Sequence, residues 1–182
     1  MLTMSPQERK SEKLIAIFQA LIDLMRIKEV NSISITELTR KAGVSRTYYY
    51  KNFTTFDDII SEFEMLSIIR YLRCLPSHGQ LKFSTLMEHY FQLSLNNIVS
   101  QVTLLRAGKE QVLIRSFVTT YQYLLQNNLL IASSKNSRID DKYWADFIAG
   151  AVINTSLSWL QAGTRETPKY MGQKLATFLE LT

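Results

Sequence analysis

Apolar residues recur along this chain at helical spacing from end to end, and nowhere do they alternate over a run long enough to support a sheet. Leu14, Ile17, Phe18, Leu21, Leu24 and Met25 mark a first amphipathic helix. Ile35, Leu38, Thr39 and Ala42 form one face of a short second helix. Tyr49 and Phe53, four apart, give the inward face of a third, over roughly Arg46 to Phe53. A fourth starts near Thr55, carries Phe63, Leu66, Ile69 and Leu72, and stops where Pro76-Ser77-His78-Gly79 breaks the pattern. Further helices are predicted over about 82–99, 101–107, 110–130, 140–163 and 167–181, with a polar connection at Asn127-Asn128 and another across 133–137. The predicted fold class is all-α.

The junctions between the second, third and fourth helices carry their own signals. Ser34 is a good N-cap, and Glu37 three residues later predicts a capping box, with Ile33 and Leu38 as its hydrophobic staple. Gly43 supplies the left-handed residue that ends the second helix at little steric cost. Ser45 caps the third helix, with Val44 and Tyr49 as its staple. Thr55 caps the fourth, and Asp57 and Asp58 suit its positive end. Two short helices joined by a glycine turn form a helix-turn-helix, whose second helix enters the major groove of DNA. Its remaining face carries Arg46, Thr47, Tyr48, Tyr50, Lys51 and Asn52. Arg pairs with guanine, Thr meets a base or a thymine methyl, and Tyr, Lys and Asn suit phosphate oxygens. Successive helical residues are about 100° apart, so three adjacent tyrosines cannot all be buried. One must face outward among cations.

These residues resemble the TetR/AcrR family of bacterial transcription regulators. The resemblance rests on Ala42-Gly43-Val44-Ser45, Tyr49-Tyr50, Phe53 and the run Thr54-Thr55-Phe56-Asp57-Asp58-Ile59. It implies that Tyr50 contacts phosphate, that Tyr49 fills an apolar core position, and that Arg46, Thr47, Tyr48, Lys51 and Asn52 touch bases or backbone. The candidate DNA-contacting set is Ser34, Thr36, Ser45, Arg46, Thr47, Tyr48, Tyr50, Lys51, Asn52 and Thr55. Thr47 stands where many members have a small residue, and Phe56 where members usually carry a phosphate-clamping lysine. The resemblance covers about the first third of the chain closely. It continues more weakly through Phe147-Ile148-Ala149-Gly150, Trp159-Leu160-Gln161-Ala162-Gly163 and Pro168. It implies a helix-turn-helix domain over 1–56 and a helical regulatory and dimerisation domain over 57–182.

Composition narrows the picture modestly. At 182 residues the chain can bury a sizeable core, and a net charge of +5 permits an anionic partner. More telling, Arg40, Lys41, Arg46 and Lys51 face only Glu37 between Ser34 and Phe56. The single cysteine, Cys74, rules out an internal disulfide, fits a reducing cytoplasm and reads as a small buried hydrophobe. The polar start lacks an apolar signal core, and no run approaches the roughly 18 apolar residues of a membrane helix. Neither a Ser/His/Asp set, a phosphate loop nor metal-ligand spacing is present, so no enzyme, metal or cofactor is expected, and His78 and His89 stand apart from Cys74.

The helix after Asp140-Asp141 is apolar nearly all round, so two sides must be covered. Ala145, Ala149, Gly150 and Ser156 are small enough for close approach of a second helix. With the last helix they give either an intrachain core or half of a four-helix dimer seam, the latter being what the resemblance implies. Candidate seam residues are Ala149, Ile153, Ser156, Leu160, Met171, Leu175 and Phe178. Tyr71, His89, Phe91, Tyr121, Trp144 and Phe147 are candidate ligand-pocket residues, since aromatic walls with few polar points suit a small-molecule site, although they equally suit a core. By resemblance, the expected function is a homodimeric repressor on a palindromic operator, released by a small-molecule effector. An activator of the same fold is an alternative, as is a helical adaptor that binds only protein.

Overall fold

The computed structural model describes residues 5–73, 81–130 and 141–179; the side chain of Tyr71, Cys74, Pro76 and His78 lie outside what is described. Among the described residues there are nine α-helices and no strand, only a single parallel bridge in which Leu81 N–H donates to Leu129 O at 2.8 Å. The first helix, α1 (Pro6–Met25), begins two turns before its apolar stripe. Ser5 Oγ accepts the Glu8 N–H at 3.2 Å while the Glu8 carboxylate accepts the Ser5 N–H at 2.7 Å, a complete capping box. The side chains of these turns are polar, so hydrophobic spacing alone does not reveal them.

After a 3-10 turn (Val30–Ser32) come α2 (Ile35–Ala42), α3 (Arg46–Asn52) and α4 (Phe56–Arg73). The core beneath them is built on Leu14, Ile17, Phe18, Leu21 and Leu24 of α1, all nearly inaccessible to solvent. The Phe18 ring stacks on Phe63 of α4 at a centroid distance of 3.7 Å. The same core runs on into α6 (Ile98–Arg106), α7 (Glu110–Gln126) and α8 (Trp144–Gln161), through Leu104, Val112, Leu113 and Leu157. At the start of α4, Asp57 accepts from Lys109 Nζ at 2.7 Å, with Arg115 at 3.8 Å, fastening this helix to α7.

A second core lies under α5 (Phe83–Asn96), α8 and α9 (Pro168–Phe178). Its tightest joint is between α5 and α9. A methyl group added at Gly172 would stand 2.6 Å from the Ser84 carbonyl oxygen and 2.6 Å from the Glu88 backbone nitrogen. Only glycine permits this approach, and Ala176 one turn later continues the small face.

This packing covers six of the seven candidate seam residues from within the chain. Ala149, Ile153, Ser156, Leu160, Met171 and Leu175 are all buried without a second subunit. The apolar sides of α8 are consumed by α5, α6 and α7, and that of α9 by α5. Phe178 alone of the seven candidates is exposed, and Gly150 faces open space.

Candidate nucleic-acid interface and interior cavity

Three helix starts converge on one local motif. Ser34 Oγ accepts the Glu37 N–H at 3.2 Å, Ser45 Oγ the Tyr48 N–H at 3.0 Å, and Thr55 Oγ1 the Asp58 N–H at 3.3 Å. Each hydroxyl therefore uses a lone pair and keeps its own proton for a further acceptor. The reciprocal half of the expected box at Ser34 does not form. The Glu37 carboxylate instead accepts from Lys28 Nζ at 2.6 Å, and that hydrogen bond holds its pKa below the usual carboxylate value. The cation offers a stronger charge-assisted bond than a backbone amide, which explains the exchange. Between α2 and α3, Gly43 has φ +66° as its place in the turn requires.

On α3 the three tyrosines divide. Tyr49 is buried against Phe53 and Phe56, whereas Tyr50 is 59% exposed. Tyr48 departs from the expected outward face. It is half-buried, edge-on to Phe53 at 6.0 Å, with Lys13 of α1 over its ring at 5.3 Å, and burial raises its phenol pKa. Asn52 is also half-buried, its Nδ2 donating to the Tyr48 carbonyl at 2.7 Å. Arg46, Thr47, Tyr50 and Lys51 remain outward, joined by the exposed Ser34 and Thr36 of α2 and by Thr55. The Arg46 guanidinium lies 6.0 Å from the Tyr50 ring centroid, a cation–π placement that restrains both side chains. Arg46 and Lys51 form no ion pair among the described residues.

At the start of α4, the Asp58 carboxylate accepts the backbone N–H groups of Thr54 and Thr55 at 2.8 Å each, which lowers its pKa. The chain thus supplies its own anion to these amides. Phe56 is half-buried against Tyr49, so its side chain strengthens the motif's core and has no group for a phosphate.

The candidate ligand-pocket residues do not gather around one space. An interior cavity of about 50 Å³ lies among α4, α5, α6, α7 and α8, and of the five candidates whose side chains are described only Tyr121 lines it. Phe91 is packed edge-on to Trp159 at 5.2 Å, and Trp144 Nε1 donates to the Tyr121 hydroxyl at 3.3 Å, leaving both tryptophans as satisfied core residues. Phe147 is 58% exposed. His89 lines a separate groove with Phe63 and Arg70, and Tyr71 is outside the described side chains. The cavity's polar residues are ones that the pattern of aromatics missed. Glu64 on α4 has its carboxylate 3.4 Å from Gln101 Nε2, and burial pushes its pKa up to about 7. Tyr90, whose phenol burial raises to about 12, and Ser116 also line it. The available signal was a carboxylate inside an apolar stripe, Ile60-Glu64-Ile68, at spacing that places all three on one helix face.

Comparison with known proteins bears on the whole chain. A TetR-type family model described as a transcriptional regulator C-terminal region matches residues 82–181, more than half of the sequence. A family of unknown function matches residues 1–64. No curated protein matches. Among solved structures, the dihydroxyacetone kinase operon activator DhaS aligns with a TM-score of 0.59 at 12% identity, over 92% of this chain and 94% of that one. At that identity the likeness speaks for a common fold.

Proposed function

Because the chain belongs to the TetR family of transcription regulators, we propose that it works as a homodimeric repressor on a palindromic operator, with α3 of each subunit in a major groove. Residues 1–56 form the DNA-binding part and 57–182 the regulatory and dimerising part. The observation that carries the reading is the outward set Arg46, Thr47, Tyr50 and Lys51 on a capped helix whose opposite face, Tyr49 and Phe53, is locked in the core. Ser34, Thr36, Ser45 and Thr55 place hydroxyls around that helix to meet phosphates, whereas Tyr48 and Asn52 support it from behind. Position 56 contributes no phosphate contact.

Operator symmetry requires two linked readers about one DNA turn, 34–36 Å, or somewhat more apart. The surface proposed to link them is the exposed side of α8 and α9, where Phe147, Tyr170 and Phe178 remain outward and Gly150 leaves room for a neighbour. A small molecule in the interior cavity is proposed to shift α4, which starts where the DNA-binding part ends and lines the cavity. It must favour the DNA-incompetent arrangement, since equal affinity for both shifts nothing.

Two substitutions on α3 test the reading by their contrast. Arg46→Ala is expected to cost about 1–3 kcal/mol of discrimination between operator and scrambled DNA, the worth of one bidentate base contact. Tyr50→Phe keeps the ring beneath Arg46 and removes only the hydroxyl, so it is expected to weaken binding to both DNAs alike. Fluorescence anisotropy on the two DNAs decides. Identical behaviour of both variants and the wild type would refute the assignment.

A further inference from the structure

The cavity beside Glu64 has an unusual charge balance. The described residues lining it come from α4, α5, α6, α7 and α8, and among these only Glu64 and the phenols of Tyr90 and Tyr121 titrate. Among the described residues no lysine, arginine or histidine lines it, so the half-buried carboxylate has no cation from that lining to offset its desolvation. Its hydrogen bond from Gln101 is long, at 3.4 Å. Ser116 Oγ, nine-tenths buried at the same cavity, has no hydrogen-bond partner among the described residues. The same cavity is lined by three linked rings: Tyr90 edge-on to Phe117 at 5.7 Å, and Phe117 stacked with Tyr121 at 6.2 Å.

Each feature selects the same occupant. An anion would meet the carboxylate with nothing to compensate it. A neutral hydrocarbon would leave Glu64 and Ser116 unsatisfied. A positively charged nitrogen supplies charge and N–H donors to both, and aromatic faces attract a cation. At about 50 Å³ the space suits a compact group, well below the ~300–1,000 Å³ of drug-sized sites. Resting on the reading of this cavity as the effector site, we propose that it takes a compact organic ammonium ion, its charged end on Glu64 and its alkyl body against Tyr90, Phe117 and Tyr121.

The test uses three probes of similar size, ethylammonium, ethanol and acetate, titrated into the protein and followed by isothermal calorimetry and melting temperature. The wild type is expected to bind the ammonium at least ~10-fold more tightly than the alcohol, as a partly desolvated charge-assisted pair allows, and to reject acetate. Glu64→Gln is expected to erase that preference while keeping the helical circular dichroism. The wild type alone gives a second reading. Ammonium affinity rises as pH is raised through about 7, where Glu64 ionises, while ethanol affinity stays level. Equal binding of ammonium and alcohol, preference for acetate, a preference surviving in Glu64→Gln, or no saturable ammonium binding would overturn the proposal. None of these titrations contains DNA, so a failure of operator binding and a failure of ammonium binding are separate results.

Discussion

Gly172→Ala is expected to cost this protein a large part of its folding stability. The added methyl would meet backbone atoms of α5 at 2.6 Å, and backbone cannot swing aside as a side chain can. Relief requires α9 to withdraw from α5, taking Met171, Leu175 and Ala176 out of the second core. Overpacking of this kind costs about 1–3 kcal/mol and more when rigid elements must part. Total stabilities of about 5–15 kcal/mol leave little reserve. Gly150→Ala is the control. Its methyl meets nothing within 4 Å, and alanine is the better helix former by roughly 0.5–1 kcal/mol, so its melting temperature should hold or rise. Urea melts of both variants settle the matter, and similar midpoints would refute the close joint between α5 and α9.

An equally large effect is expected at Ala149. Its side chain is fully buried on α8, so Ala149→Glu places a carboxylate in a dry core with no partner, a cost of several kcal/mol. The expected product is insoluble or molten protein, not a folded monomer. Phe147→Glu, two residues away and 58% exposed, should instead fold with a normal melt and, if the outward side of α8 joins two subunits, sediment as a monomer. A well-folded, monomeric Ala149→Glu variant would reverse the assignment of the two faces.

What the sequence made legible follows from which forces are local. Caps and turns are set by neighbours in the chain, so Ser45, Thr55, Gly43 and the order of helices could be read directly. The start of α1 escaped because its signal, Ser5 with Glu8, is polar and lies before the apolar stripe. Partner choice between helices is not local. The apolar stripes of α8 and α9 say that both need covering, not that α5 covers α9 while α7 covers α8. Hence six residues expected in a dimer seam lie inside the chain. Gly172 was the missed hint, a glycine in a helix interior with no turn to make. On α3, the argument that one tyrosine must face outward is met by Tyr50, but spacing alone did not show that Tyr48 would be claimed by α1. Aromatic content does not mark the cavity, because most of the rings pack as core; the residue that sets its lining apart is an acid in an apolar row.

The central claim is that the outward face of α3 binds duplex DNA, and equilibrium binding across a salt series tests it most directly. The DNA to use is the duplex adjoining this protein's own coding region, with a scrambled duplex beside it. Neutralising phosphates releases counterions, so log K should fall linearly with log salt, by about 0.9 per phosphate engaged. The account predicts such a line, higher for the adjoining duplex than for the scrambled one, and shallower for Lys51→Ala. Absence of binding to either duplex at low salt would contradict it and leave the helix-turn-helix as a packing motif.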